Sequence, residues 1–169
     1  ADAGGNGQDN ASDLDIFCPT ADNCKVVYTD DIDSGTGIDL IFVDCNDETC
    51  SSTVTTPLDS DIGTASGDNQ QPSIYCVDDG DGVVSDNCKI VYIDDVGTSA
   101  PILKMIDCTD DEDCSTNTVT TIDSDIGNAA VEGPSDIDCP SDANCKIVYS
   151  DLNVVALITK FVDCNDATC

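Results

Sequence analysis

The apolar positions of this chain fall in short runs rather than at helical spacing, and the runs recur in a fixed order. Cys88-Lys89-Ile90-Val91-Tyr92 returns as Cys24-Lys25-Val26-Val27-Tyr28 and as Cys145-Lys146-Ile147-Val148-Tyr149. Met105-Ile106-Asp107-Cys108, followed by an acidic loop to Cys114, returns as Phe42-Val43-Asp44-Cys45 to Cys50 and as Phe161-Val162-Asp163-Cys164 to Cys169. The lysines at 25, 89 and 146 set the copies 64 and 57 residues apart, a repeat length suited to a β supersecondary unit. In the second copy the pattern predicts four strands: Ser73 to Val77, Lys89 to Asp94, Ile102 to Cys108 and Thr118 to Asp123. The second and third are apolar on consecutive positions (Ile90, Val91, Tyr92, Ile93; Leu103, Met105, Ile106), so both faces of the small sheet need a cover. Sheets of neighbouring copies are therefore expected to pack face to face. The fourth strand is Thr-rich and carries Pro57 in the first copy, which suits a half-exposed edge. The one helix-like stretch, Leu152 to Ile158, lies where the repeat places the connection between strands two and three, and is read as non-helical.

The expected fold is all-β: three tandem, disulfide-clamped, four-stranded antiparallel blade-like modules, the last lacking its fourth strand, and not a closed propeller. Residues 1–14, rich in Gly, Asn and Asp, read as a linker or N-terminal arm. Repeat 1 spans 15–63, repeat 2 spans 64–127 and the incomplete repeat 3 spans 128–169, together one array. In an up-and-down order both cysteine pairs of each module share one rim, and the Tyr-x-Asp and Asp-Ser-Asp-Ile-Gly turns share the other. Asp2-Ala3-Gly4 aligns with Asp61-Ile62-Gly63, and the third copy reaches Cys169 where the others continue into Thr-Val-Thr-Thr. This pattern predicts apolar, uncapped end faces that neighbouring subunits cover.

Charge narrows the function. The 169 residues hold 35 acids, five lysines and no arginine or histidine, for a net charge of -30. Nucleic acids and anionic membranes are bound through Lys and Arg, so neither is an expected partner. Ser-His-Asp and Cys-His catalysis lack their base. The twelve cysteines come four per repeat in two close pairs, 18 with 24 and 45 with 50, 76 with 88 and 108 with 114, 139 with 145 and 164 with 169. Zinc knuckles hold a short fixed spacing, whereas the first pair here is separated by five, eleven and five residues. Six local disulfides are expected instead, and they imply an oxidising, extracellular setting at or beyond the cell surface. Lys25, Lys89 and Lys146 are expected to neutralise acids beside the cysteine clamps.

An apolar strand ending in Tyr-x-Asp, a Cys-acidic-Cys loop and a Thr-Val-Thr-Thr-x-Asp-Ser strand (52–60 and 116–124 carry it with small variations) together resemble the blade repeats of secreted bacterial sialidase-like or lectin-like β-propeller proteins. The resemblance implies blade-like sheets. It does not carry sialidase chemistry over, because that family uses an arginine cluster and this chain has no Arg.

Asp78-Asp79-Gly80-Asp81-Gly82, continuing through Asp86 to Cys88, alternates carboxylates with Gly and resembles the cysteine-closed calcium loops of thrombospondin type 3 repeats. Asp78, Asp79, Asp81 and Asp86 are the candidate ligands, and calcium is the cofactor they would hold. Asp110 to Asp113 is a secondary acidic group on the same rim. Asp33-Ser34-Gly35-Thr36-Gly37 imitates an aspartic-protease motif, but that chemistry needs two such carboxylates and only one copy is present. No catalytic residue is assigned and the chain is not expected to be an enzyme. The expected function is a structural subunit of an extracellular filament or surface assembly, a homopolymer joined head to tail, with glycans attached at Asn10 or on Thr and Ser as further partners. The alternative is a glycan- or calcium-binding lectin or adhesin fragment of propeller type.

Overall fold

The computed structural model describes residues 13–20, 23–30, 37–63, 71–77, 87–95, 101–108, 113–127, 135–153, 156–165 and 169. Among these every regular element is a strand. Module 1 contains β1 (Leu14–Thr20), β2 (Asn23–Asp30), β3 (Asp39–Cys45) and β4 (Thr53–Asp59). Module 2 contains β5 (Ser73–Val77), β6 (Asn87–Asp94), β7 (Ile102–Cys108) and β8 (Thr118–Asp123). Module 3 contains β9 (Asp136–Ser141), β10 (Asn144–Asn153) and β11 (Ala156–Cys164). Each sheet is antiparallel and runs up and down in chain order, as the repeat predicts. The described residues of the helix-like stretch are strand, with Leu152 of β10 paired to Leu157 of β11. Among the described strands β4 is an edge, paired with β3, and Pro57 stands opposite Ile41 beside the register shift between Leu40 and Ile41, an edge setting in which proline is tolerated.

All six local disulfides are formed. Cross-strand register sets the two of each module side by side: Cys24 opposes Cys45, Cys88 opposes Cys108 and Cys145 opposes Cys164. The second clamp closes on Cys50, Cys114 and Cys169, each at positive φ. A non-glycine residue in that region is disfavoured, and here the disulfide ties each one to the neighbouring strand.

The period-2 alternation of β6 sends Cys88, Ile90 and Tyr92 into a core shared with Val27, Leu40, Phe42 and Ile62 of module 1. It sends Val91 and Ile93 into a second core shared with Ile137, Ile147 and Tyr149 of module 3. Module 2 is thus the middle layer, and every residue of β6 is buried. Ile62 and Ile126, from the turns after β4 and β8, plug one core each. Gly37 lies against the first of these turns, where a Cβ would stand 2.3 Å from Asp61 Oδ1. The rest of the protease-like motif, 33–36, lies outside the described residues, as do residues 1–12 with the Asn10 sequon.

Phe42 and Phe161 occupy equivalent strand positions, the first fully buried and the second 65% exposed. Phe42→Ala is expected to cost about 3–5 kcal/mol and Phe161→Ala under about 1 kcal/mol. Urea denaturation of the two variants checks this, and equal losses would contradict the stacking order.

Candidate functional site

Two surfaces carry the chemistry of the chain: the joints between modules and the outer face of module 3. At each joint the residue ending the fourth strand reaches into the next module. Asp59 accepts a 2.6 Å hydrogen bond from Tyr92 Oη and pairs with Lys104 at 3.1 Å. Asp123 accepts a 2.7 Å bond from Tyr149 Oη and pairs with Lys160 at 2.7 Å. Lys104 also pairs with Asp94, and Lys160 with Asp151. Burial pulls Lys104 down, but its hydrogen bonds to Asp94 and Asp59 outweigh that and the net shift is upward. Lys160 is raised by its bonds to Asp123 and Asp151. Burial raises Asp123, and Lys160, Tyr149 and the Asp125 N–H together bring it below the ordinary carboxylate range. Module 1 has Tyr28 but carries Ile41 where the others have Lys104 and Lys160.

The clamp lysines answer the sequence reading. Lys25 lies opposite Asp44, Lys89 opposite Asp107 and Lys146 opposite Asp163, and each pair forms a salt bridge. Lys25 and Lys89 are buried at the joints, and Lys89 reaches Asp142 of module 3 at 2.7 Å. A charge in that setting is tolerated because its partner carboxylate stands in register on the next strand.

Inner edges converge. β5 packs on β1 and β9 packs on β5. The residue three before the first cysteine of each module is Asp15, Ser73 or Asp136. The single O–H of Ser73 is shared between Asp15 at 3.0 Å and Asp136 at 3.3 Å, and the Ile74 N–H donates to Asp15 at 2.9 Å. One step out, the Gln71 N–H donates to Asp13 at 3.4 Å, and Ser135 Oγ to the Gln71 carbonyl at 3.0 Å. A cleft of about 780 Å³ opens beside this line, between Leu14 and Asp15 of module 1 and Val148, Ser150 and Thr159 of module 3. Its lining presents the carboxylates of Asp13, Asp15 and Asp136 and the hydroxyls of Ser73, Ser135, Ser150 and Thr159. Among the described residues no group of three acids or cysteines is placed to hold a metal ion.

The face of module 3 directed away from module 2 is open. Lys146, Val148 and Ser150 of β10, Thr159 and Phe161 of β11, and Asp136 and Asp138 of β9 lie on it, since their strand neighbours Cys145, Ile147, Tyr149 and Cys139 are buried in the joint. Val27 and Val91, the equivalents of Val148, are fully buried, and Met105 is as buried as Phe42. On the opposite end, Ile16 is 54% exposed, whereas its equivalents Ile74 and Ile137 are buried beneath the preceding module.

The predicted calcium ligands Asp78, Asp79, Asp81 and Asp86 lie outside the described residues, as do 110–112 of the second acidic group. In the corresponding loop of module 1, Asp47 accepts bonds from the N–H groups of Thr49, Ser51 and Ser52 and from the hydroxyls of Thr49 and Ser51. The Ser51 bonds foremost hold its carboxyl well below the usual range, so this acid stabilises its own loop. Sequence reasoning missed the Asp59 and Asp123 grips, although Asp-Ser-Asp-Ile-Gly recurring after both complete fourth strands was the available signal. No protein-family model matches the chain, and neither a curated protein nor a solved structure shows significant similarity to it.

Two outcomes test these joints. Lys89→Met strands the buried Asp107 carboxylate and is expected to cost about 3–5 kcal/mol in urea denaturation, with Lys89→Met/Asp107→Leu recovering part of the loss; a neutral single variant would contradict the pairing. Tyr149 is pushed up to about 12 by burial and by its bond to Asp123. Its folded value exceeds the ordinary phenol value of about 10, so its contribution is whole below pH ~10 and disappears as pH rises toward ~12. Tyr149→Phe should therefore lose stability less steeply than wild type across that window, measured by urea titrations at each pH. Equal slopes would show that the phenol is not linked to folding.

Proposed function

We propose that this protein is a structural subunit of an extracellular assembly whose copies join head to tail, the open face of module 3 against the outer face of module 1. One observation carries the reading: repeat positions buried at both internal joints, those of Phe161, Val148 and Ile16, are exposed on the two end faces. A repeat array normally ends in polar caps, and a contact between unlike ends that does not close into a ring grows a fibre. The six disulfides fit an oxidising environment in which such an assembly would persist.

Negative-stain microscopy and sedimentation velocity over a wide range of protein concentration test the proposal. Concentration-dependent, elongated particles are expected, and Phe161→Asp should abolish them without lowering the melting temperature of the monomer. A wild-type chain that stays monomeric at the highest concentration and at high salt would overturn it.

A further inference from the structure

The internal joints specify what a copy-to-copy joint would look like at its inner edge. At the first joint the carboxylate of Asp15 receives the hydroxyl of Ser73 and the N–H of Ile74 from the following module. At the second, the same hydroxyl oxygen lies 3.3 Å from Asp136, so one O–H is shared between the two carboxylates. The three equivalent positions therefore read carboxylate, hydroxyl, carboxylate along the axis, with the Ser73 hydroxyl standing between the two acids. Asp136 is exposed on the open face of module 3, at the edge of the cleft that Asp13, Leu14 and Asp15 border from the other side.

We infer that the joint between copies is weakened by a carboxylate pair, Asp136 of one copy against Asp15 of the next, which makes assembly sensitive to counter-charge; this rests on the head-to-tail reading above. Continuing the register of the internal joints, the module that follows module 3 is module 1 of a second copy. Its Ile16 N–H, the counterpart of the Ile74 N–H, already donates to its own Asp15 at 2.8 Å. Its Asp15 takes the place of Ser73. The hydroxyl that separates the acids at both internal joints is thus missing at this one position of the assembly. Among the described residues, Asp138 on β9 and the Lys146–Asp163 pair are the other charged groups of that face, so the lysine is already matched by a carboxylate and leaves Asp136 without a counter-ion from its own module.

Asp136→Ser recreates the serine-to-aspartate step of the second internal joint. At low ionic strength it is expected to tighten self-association roughly fourfold, the effect of removing one like-charge contact at about 5 Å in water. Asp136→Lys, which sets opposite charges together, should tighten it further, and both gains should shrink in high salt. Asp125→Asn, which removes one exposed charge from the turn after β8 in the middle module, serves as the control for net charge. Sedimentation equilibrium of the four proteins at low and high salt reads the result. If wild type assembles but Asp136→Ser and Asp136→Lys gain no more than Asp125→Asn, the carboxylate pair is wrong and the head-to-tail reading stands. If none of the four self-associates under either condition, both fall.

Discussion

Every sheet in this protein has two apolar faces and only one chain neighbour per face to cover them, and the architecture follows from that constraint. A strand such as β6, apolar on consecutive residues, cannot be half-solvated as in an ordinary antiparallel sheet. Each of its faces must meet another sheet, so module 2 can exist only as a middle layer. The outer modules inherit the same strand sequence without the same cover. Val27 and Val148 are the same position in the repeat, yet one is fully buried and the other is not. What differs is the neighbour.

Charge is the second constraint, and it determines where the few cations stand. All five lysines are paired with aspartates, three beside the cysteine clamps and two at the joints. A salt bridge on the surface contributes little. A buried pair held in register costs desolvation but makes the joint specific, because shifting it strands a charge. The lysines therefore fix the order and register of the modules more than they offset the net charge of -30. Local disulfides constrain the unfolded chain without adding any apolar surface, which suits modules too thin for a core of their own.

Much of the fold was legible because the repeat shows each element three times. The recurring apolar runs and the cysteine spacing located β5, β7 and β8 to the residue, and set β6 two residues short because Asn87 and Cys88 look like loop in isolation. The pairing of Lys25, Lys89 and Lys146 with acids followed from their place beside the clamps, but the particular partner depends on strand register, which the spacing does not determine. The grips of Asp59 and Asp123 were hidden for a related reason. They join residues 33 and 26 positions apart across two sheets, so the recurring Asp-Ser-Asp-Ile-Gly marks the turn but not the partner that each aspartate meets. The end faces were legible as apolar strands without a cover, whereas the line of Asp15, Ser73 and Asp136 emerges only once the inner edges converge.

The same two constraints set the strength of a contact between copies. Burying Phe161, Val148 and Ile16 would contribute about 2 kcal/mol each, so about 6 kcal/mol in all. Association costs are of the same order or larger, so one such contact is weak when made by an isolated pair of molecules. Between two chains each carrying a net charge of -30, repulsion acts over roughly a Debye length, about 8 Å at physiological ionic strength and much longer in dilute buffer. Apolar contact is insensitive to salt on that scale and the repulsion is not. The balance therefore shifts with ionic strength, and a chain that is soluble and dispersed in dilute buffer would join its end faces where counter-ions are plentiful.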